Sequence, residues 1–95
     1  MTTEQTDRDV EDLSSAAETI TLLRGRIDGL DEAITRFVAE RAAVSAQIQA
    51  LRVRAGGTRM ELSRERVVLD HYRRELGARG AALGDAVLRV CRGER

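Results

Sequence analysis

Arg41 is the residue in this chain most out of place for its surroundings. Between Ile20 and Arg54 the apolar residues Ile20, Leu23, Ile27, Leu30, Ile34, Phe37, Val44, Ile48 and Leu51 recur at alternating three- and four-residue spacings, and Arg41 stands where that series calls for another apolar side chain. An arginine in an apolar seam costs on the order of several kcal/mol unless an anion meets it there. Arg52, eleven residues on, falls about 20° away around a helix and roughly 16 Å along its axis, so the two can line one groove. Arg24 falls about 100° off and roughly 25 Å before Arg41, out of reach of the same small ligand unless a second, antiparallel copy brings it back. Downstream, Glu61, Arg64 and Glu65 share one helix face at i, i+3 and i+4, and Leu88 and Arg92 pair at i, i+4 on a later helix.

Guanidinium groups keep their charge when buried and grip carboxylates in two-pronged fashion, so this set suits a small polyanion. The sequence holds no Cys–His or Ser–His–Asp set, no metal-ligand cluster and no phosphate-binding glycine loop; Gly56-Gly57 ends a helix. Chemistry at such a groove works by binding, orientation and electrostatics, with no metal or cofactor. For Glu61, Arg64 and Glu65 taken singly, the plainer reading is solvated helix surface.

The elements that would position these groups read as all-α. Ser15-Ala16-Ala17-Glu18 resembles a capping box and Gly56-Gly57 a stop, which predicts a first helix over about 15–55. At ~1.5 Å per residue such a helix is roughly 57 Å long, about twice the width of a compact domain of this size, so it calls for a partner along its length. A second helix over about 59–76 would start at a Thr58–Glu61 box, or at Ser63, and bury Leu62, Val68, Leu69, Tyr72 and Leu76. A third, over about 81–92, would bury Leu83, Val87 and Val90. Three helices per chain, the N-terminal one very long, predict an intertwined homodimer, with residues 1–14 as an acidic flexible tail and 15–95 as the helical domain.

The 95 residues carry zero formal net charge, which argues against a protein built to bind nucleic acid or anionic membranes. All sixteen basic residues are arginine, so arginine count alone says little and position must carry the argument. Cys91 is the single cysteine and excludes an internal disulfide; it reads as a small apolar filler in a reducing, cytoplasmic setting. The N-terminus has neither a basic run nor an apolar core of the kind a leader or anchor needs.

The run Leu23-Arg24-x-x-Ile27-Asp28-x-Leu30-Asp31-x-x-Ile34, followed by Arg41-x-x-Val44-Ser45-x-x-Ile48, Arg52, Gly56-Gly57-Thr58-Arg59 and Ser63-Arg64-Glu65, resembles the all-helical chorismate mutases, and the short actinobacterial intracellular subgroup above all. The resemblance covers roughly residues 20–93. It implies an intramolecular Claisen rearrangement of chorismate to prephenate, on the way to phenylalanine and tyrosine. It also implies roles: Arg24 of a neighbouring subunit and Arg41 clasp the carboxylates, and Arg52 meets the ether oxygen and a carboxylate. Arg64 supports binding, Glu65 accepts from the ring hydroxyl, and Glu61, counted with Leu88 among the substrate-binding residues, stands where many relatives carry aspartate or an apolar residue. Leu88 replaces a common serine, and Arg92 stands where many relatives use glutamine against the ether oxygen. For the subgroup it implies a free enzyme activated by complex formation with the heptulosonate-phosphate synthase. Other readings are 4-amino-4-deoxychorismate mutase or isochorismate pyruvate lyase on the same fold, and a non-enzymatic helical interaction module.

Overall fold

A computed structural model describes residues 2–57 and 61–93, with side chains from residue 8 onward. Three helices follow in order: α1 (Thr2–Arg54), α2 (Leu62–Leu76) and α3 (Gly80–Cys91), with no strand among the described residues. The chain divides into two compact units, Met1–Thr35 and Arg36–Arg95. The first is helix α1 alone; the second takes in the rest of α1 together with α2 and α3.

Helix α1 does not start at Ser15. The segment before it contains neither proline nor glycine, so nothing in the local chain halts the helix there. The Ser15 carbonyl accepts the Thr19 hydroxyl at 2.9 Å, as a residue inside a helix does. The stop is where the two glycines predicted it. Gly56 takes φ +84°, its N–H donates to the Val53 carbonyl at 3.0 Å, and the Gly57 N–H donates to the Arg52 carbonyl at 2.7 Å. That pair of bonds satisfies the last carbonyls of α1 by the Schellman pattern.

The Thr58–Glu61 box falls largely on residues 58–60, outside the described residues. Glu61 itself is the N-cap of α2, extended at φ −124° and ψ 100°, with no side-chain cap hydrogen bond, and Ser63 lies within the helix. Gly77, at φ +80°, closes α2 and lets the chain turn back into α3.

Helices α2 and α3 pack tightly because glycine lets them. A Cβ on Gly80 would lie 2.1 Å from the Tyr72 carbonyl oxygen, and one on Gly84 would lie 3.1 Å from the Tyr72 ring. The buried side chains are Val68, Val87, Leu88 and Cys91. Two features of the expected stripes are corrected here. Leu62 and Leu76, at the two ends of α2, are exposed; so are Leu83 and Val90, because the inward face of α3 runs through Gly80, Gly84, Val87, Leu88 and Cys91.

In the second unit α1 turns a different face toward the helix pair: Val38, Arg41, Ala42, Ser45, Gln49 and Arg52 are half-buried. Its apolar stripe stays open, with Phe37, Val44, Ile48 and Leu51 each more than half exposed. The α1 backbone keeps its distance from α2 and α3, and a cavity occupies the gap between them.

Candidate active site

A cavity of ≈ 260 Å³ fills that gap. Helix α1 lines it with Arg41, Val44, Ser45, Ile48, Gln49 and Arg52; the start of α2 adds Glu61, Arg64, Glu65 and Val68; α3 closes it with Leu88, Cys91 and Arg92. Seven of the eight residues singled out from the sequence therefore surround one space. The eighth, Arg24, belongs to the first unit, where it is exposed.

The helical spacings explain the convergence. Arg41, Ser45, Gln49 and Arg52 repeat every three to four residues, so one side of α1 presents them all. Glu61, Arg64, Glu65 and Val68 do the same at the first turns of α2, and Leu88, Cys91 and Arg92 at the end of α3. Arg41 sits where the open apolar stripe meets the polar face, and it is half-buried rather than sunk in a seam. That placement lowers the desolvation cost expected for it and turns its guanidinium toward the cavity face.

Two ion pairs organise the charges. Arg92 Nη1 donates to Glu65 Oε2 at 2.6 Å, with both side chains largely shielded from solvent. Arg52 Nη1 donates to Glu61 Oε2, a pair that bridges the end of α1 and the start of α2. Arg41 and Arg64 form no ion pair or hydrogen bond with their side chains among the described residues. Four arginines against two glutamates leave the cavity wall with a cationic excess, concentrated on Arg41 and Arg64. The apolar lining of Val44, Ile48, Val68 and Leu88 lowers the local dielectric and strengthens those charges toward an anion.

A second cavity of ≈ 420 Å³ shares Arg41, Arg64 and Val68 with the first and is lined also by Val67, His71, Tyr72 and Arg74. No group of three or more His, Cys, Asp or Glu residues that could hold a metal occurs among the described residues. None of the described helices is long and apolar enough to cross a membrane.

Ser45, Gln49 and Cys91 are cavity residues that sequence reasoning did not propose for the site. Ser45 and Gln49 had a signal: they follow Arg41 at i+4 and i+8, polar positions that repeat on one side of the helix. Cys91 had a weaker one, its i+3 spacing from Leu88.

The family description "Chorismate mutase type II" matches residues 23–92. An intracellular chorismate mutase of Mycobacterium tuberculosis (strain ATCC 25618 / H37Rv) is 45% identical over 74 residues, which is 78% of this chain and 70% of that protein. The corresponding protein of Mycolicibacterium smegmatis is 41% identical over 71 residues, 75% of this chain and 68% of that one. Among solved structures, a chain of the non-covalent complex of DAHP synthase and chorismate mutase from Corynebacterium glutamicum, with bound transition state analog, aligns at TM-score 0.77 and 37% identity, covering 85% of this chain and 96% of that chain.

Proposed function

This chain belongs to the chorismate mutase type II family, and on that premise we propose that it rearranges chorismate to prephenate in the cavity between α1, α2 and α3. The observation that carries the proposal is the pairing pattern of the cavity arginines: two already matched to glutamates, and two, Arg41 and Arg64, with no carboxylate partner among the described residues. A substrate with two carboxylates supplies the missing anions.

The reaction is pericyclic, so it needs no general base, nucleophile or cofactor. What it needs is a substrate held with ring and enolpyruvyl arm in the reactive geometry, and a donor at the ether oxygen where negative charge grows as the C–O bond breaks. Arg41 and Arg64 hold the carboxylates in a two-pronged grip. Arg52 donates to the ether oxygen from the end of α1. Glu65 accepts from the ring hydroxyl while keeping Arg92, since a carboxylate has lone pairs for both. Leu88, Val68 and Ile48 supply the apolar wall against which the ring packs and from which water is excluded.

The exposed stripe of Ile20, Leu23, Ile27, Leu30 and Ile34 supports a second copy as the partner of α1, and Arg24 then reaches the site of the neighbouring protomer to complete the carboxylate clamp. The relative in complex with DAHP synthase supports an assembly of the same kind here.

The test is chorismate turnover by the purified chain, alone and with the synthase of its own source. Prephenate must form from chorismate, and Arg52→Ala must lower kcat/KM by ~10²–10³, the usual loss on removing a donor from a developing negative charge. A tenfold loss or less removes Arg52 from the ether oxygen. Equal or better turnover of the 4-amino analogue assigns the chain to the aminodeoxychorismate branch instead.

A further inference from the structure

Glu61 is poorly explained as a helix cap or as a structural ion pair. It occupies the N-cap of α2, where a short oxygen-bearing side chain normally turns back onto the free amides, yet its side chain makes no such bond. Its carboxylate reaches instead to Arg52, nine residues earlier, in the last turn of α1. The side chains are 31% and 50% exposed, for Arg52 and Glu61 respectively, and pairs that open to water add little to folding stability.

Arg52 is meanwhile fixed at its other end. Its carbonyl accepts the Gly57 N–H at 2.7 Å, and a Cβ on Gly57 would come within 3.2 Å of that same oxygen. Arg52 is therefore held by its main chain at Gly57 and by its guanidinium at Glu61. An arginine side chain has several soft torsions and loses substantial rotamer freedom when it is confined. If that loss falls before substrate arrives, it does not fall in the reaction step.

We propose that Glu61 is a positioning residue: it holds the Arg52 guanidinium at the cavity in the ligand-free protein, so that the donor for the ether oxygen is in place before the substrate enters, and it does not itself touch the substrate. This replaces the direct substrate-binding role expected for Glu61 from the sequence. The inference rests on the proposed chorismate mutase activity for its kinetic consequence, and on the structure alone for its ligand-free one.

Two readouts separate the two. In ligand-free protein, the Arg52 Nε–H signal in ¹⁵N-correlated spectra is resolved, and Glu61→Gln broadens it or moves it to the position of a solvated arginine. In turnover, Glu61→Gln lowers kcat by roughly tenfold with KM changed by less than about threefold, the pattern expected when stabilisation of the transition state weakens and uniform binding does not. Glu61→Asp, which keeps the charge, recovers part of that loss. In an Arg52→Ala background, Glu61→Gln costs nothing further, because the residue acts through the one already removed.

A raised KM with unchanged kcat overturns the proposal in favour of direct binding of substrate by Glu61, and so does additivity with Arg52→Ala. An Arg52 signal identical in the wild type and Glu61→Gln overturns it on structural grounds. Absence of any turnover by the wild type removes the assigned activity but leaves the spectroscopic result to decide whether Glu61 holds Arg52. Unchanged circular dichroism and melting of Glu61→Gln confirm that the variant is folded.

Discussion

The pair α2–α3 and the rod α1 have solved the problem of burying apolar surface in opposite ways. The pair closes on itself: glycines at 80 and 84 bring the two backbones together, and Val68, Val87, Leu88 and Cys91 are shielded within a single chain. The rod has no buried residue at any described position from 8 to 54, although its apolar stripe is longer and more regular than either partner's. An interior built with glycine needs no second molecule, since close approach of the backbones fills space that side-chain bulk does not. A stripe of isoleucine and leucine left about half exposed along one helix is an unfinished interface. The cavity falls at the seam between the two solutions, one wall from each.

That contrast can be broken at several points. The largest effect is expected from Ile27→Asp combined with Ile34→Asp, which puts charge into the stripe of α1. If a second copy covers it, sedimentation equilibrium at micromolar concentration should show dissociation, with circular dichroism reporting loss of cooperative folding; an unchanged molecular weight and melt would mean that the stripe has no such partner. Gly80→Ala should come next. The added methyl meets backbone rather than a movable side-chain end, so a cost of about 3 kcal/mol in urea denaturation is expected, at the upper end for overpacking. A cost under about 1 kcal/mol would show that α3 can shift freely on α2. The finest comparison uses one residue type within one helix. Val87→Ala, at 7% exposure, should cost about 2 kcal/mol, and Val90→Ala, at 52%, should stay within about 0.5 kcal/mol. Equal costs would mean that the outer face of α3 is also covered in the assembled protein.

The parts of this architecture legible in the sequence were those written in strong local chemistry. Gly56 and Gly77 ended helices as their freedom at positive φ allows, and Arg41 announced itself by breaking an apolar series. The inward face of α3 was not legible, because hydrophobic periodicity weighs large side chains, and Gly80 and Gly84 have none; Leu83 and Val90 drew attention to the wrong side. Ser15 misled for a related reason. A capping residue marks where a helix can begin, but nothing before it compelled the chain to leave the helix. Gln49 escaped notice, and Ser45 was read only as part of the motif, because uncharged polar residues on a long helix are ordinary until the opposite wall is known. The pairing of Arg52 with Glu61 joins two different helices, and spacing along one helix cannot report it.

Arg41 and Arg64 line two cavities at once, one with glutamates in its wall and one with His71 and Arg74. Their N–H donors are finite and shared by both cavities. An inorganic anion in the His71 cavity therefore takes hydrogen bonds that an organic ligand in the other would otherwise receive. The expected consequence is that phosphate or sulfate in the medium competes with the organic ligand, so that apparent affinity falls as either salt is raised.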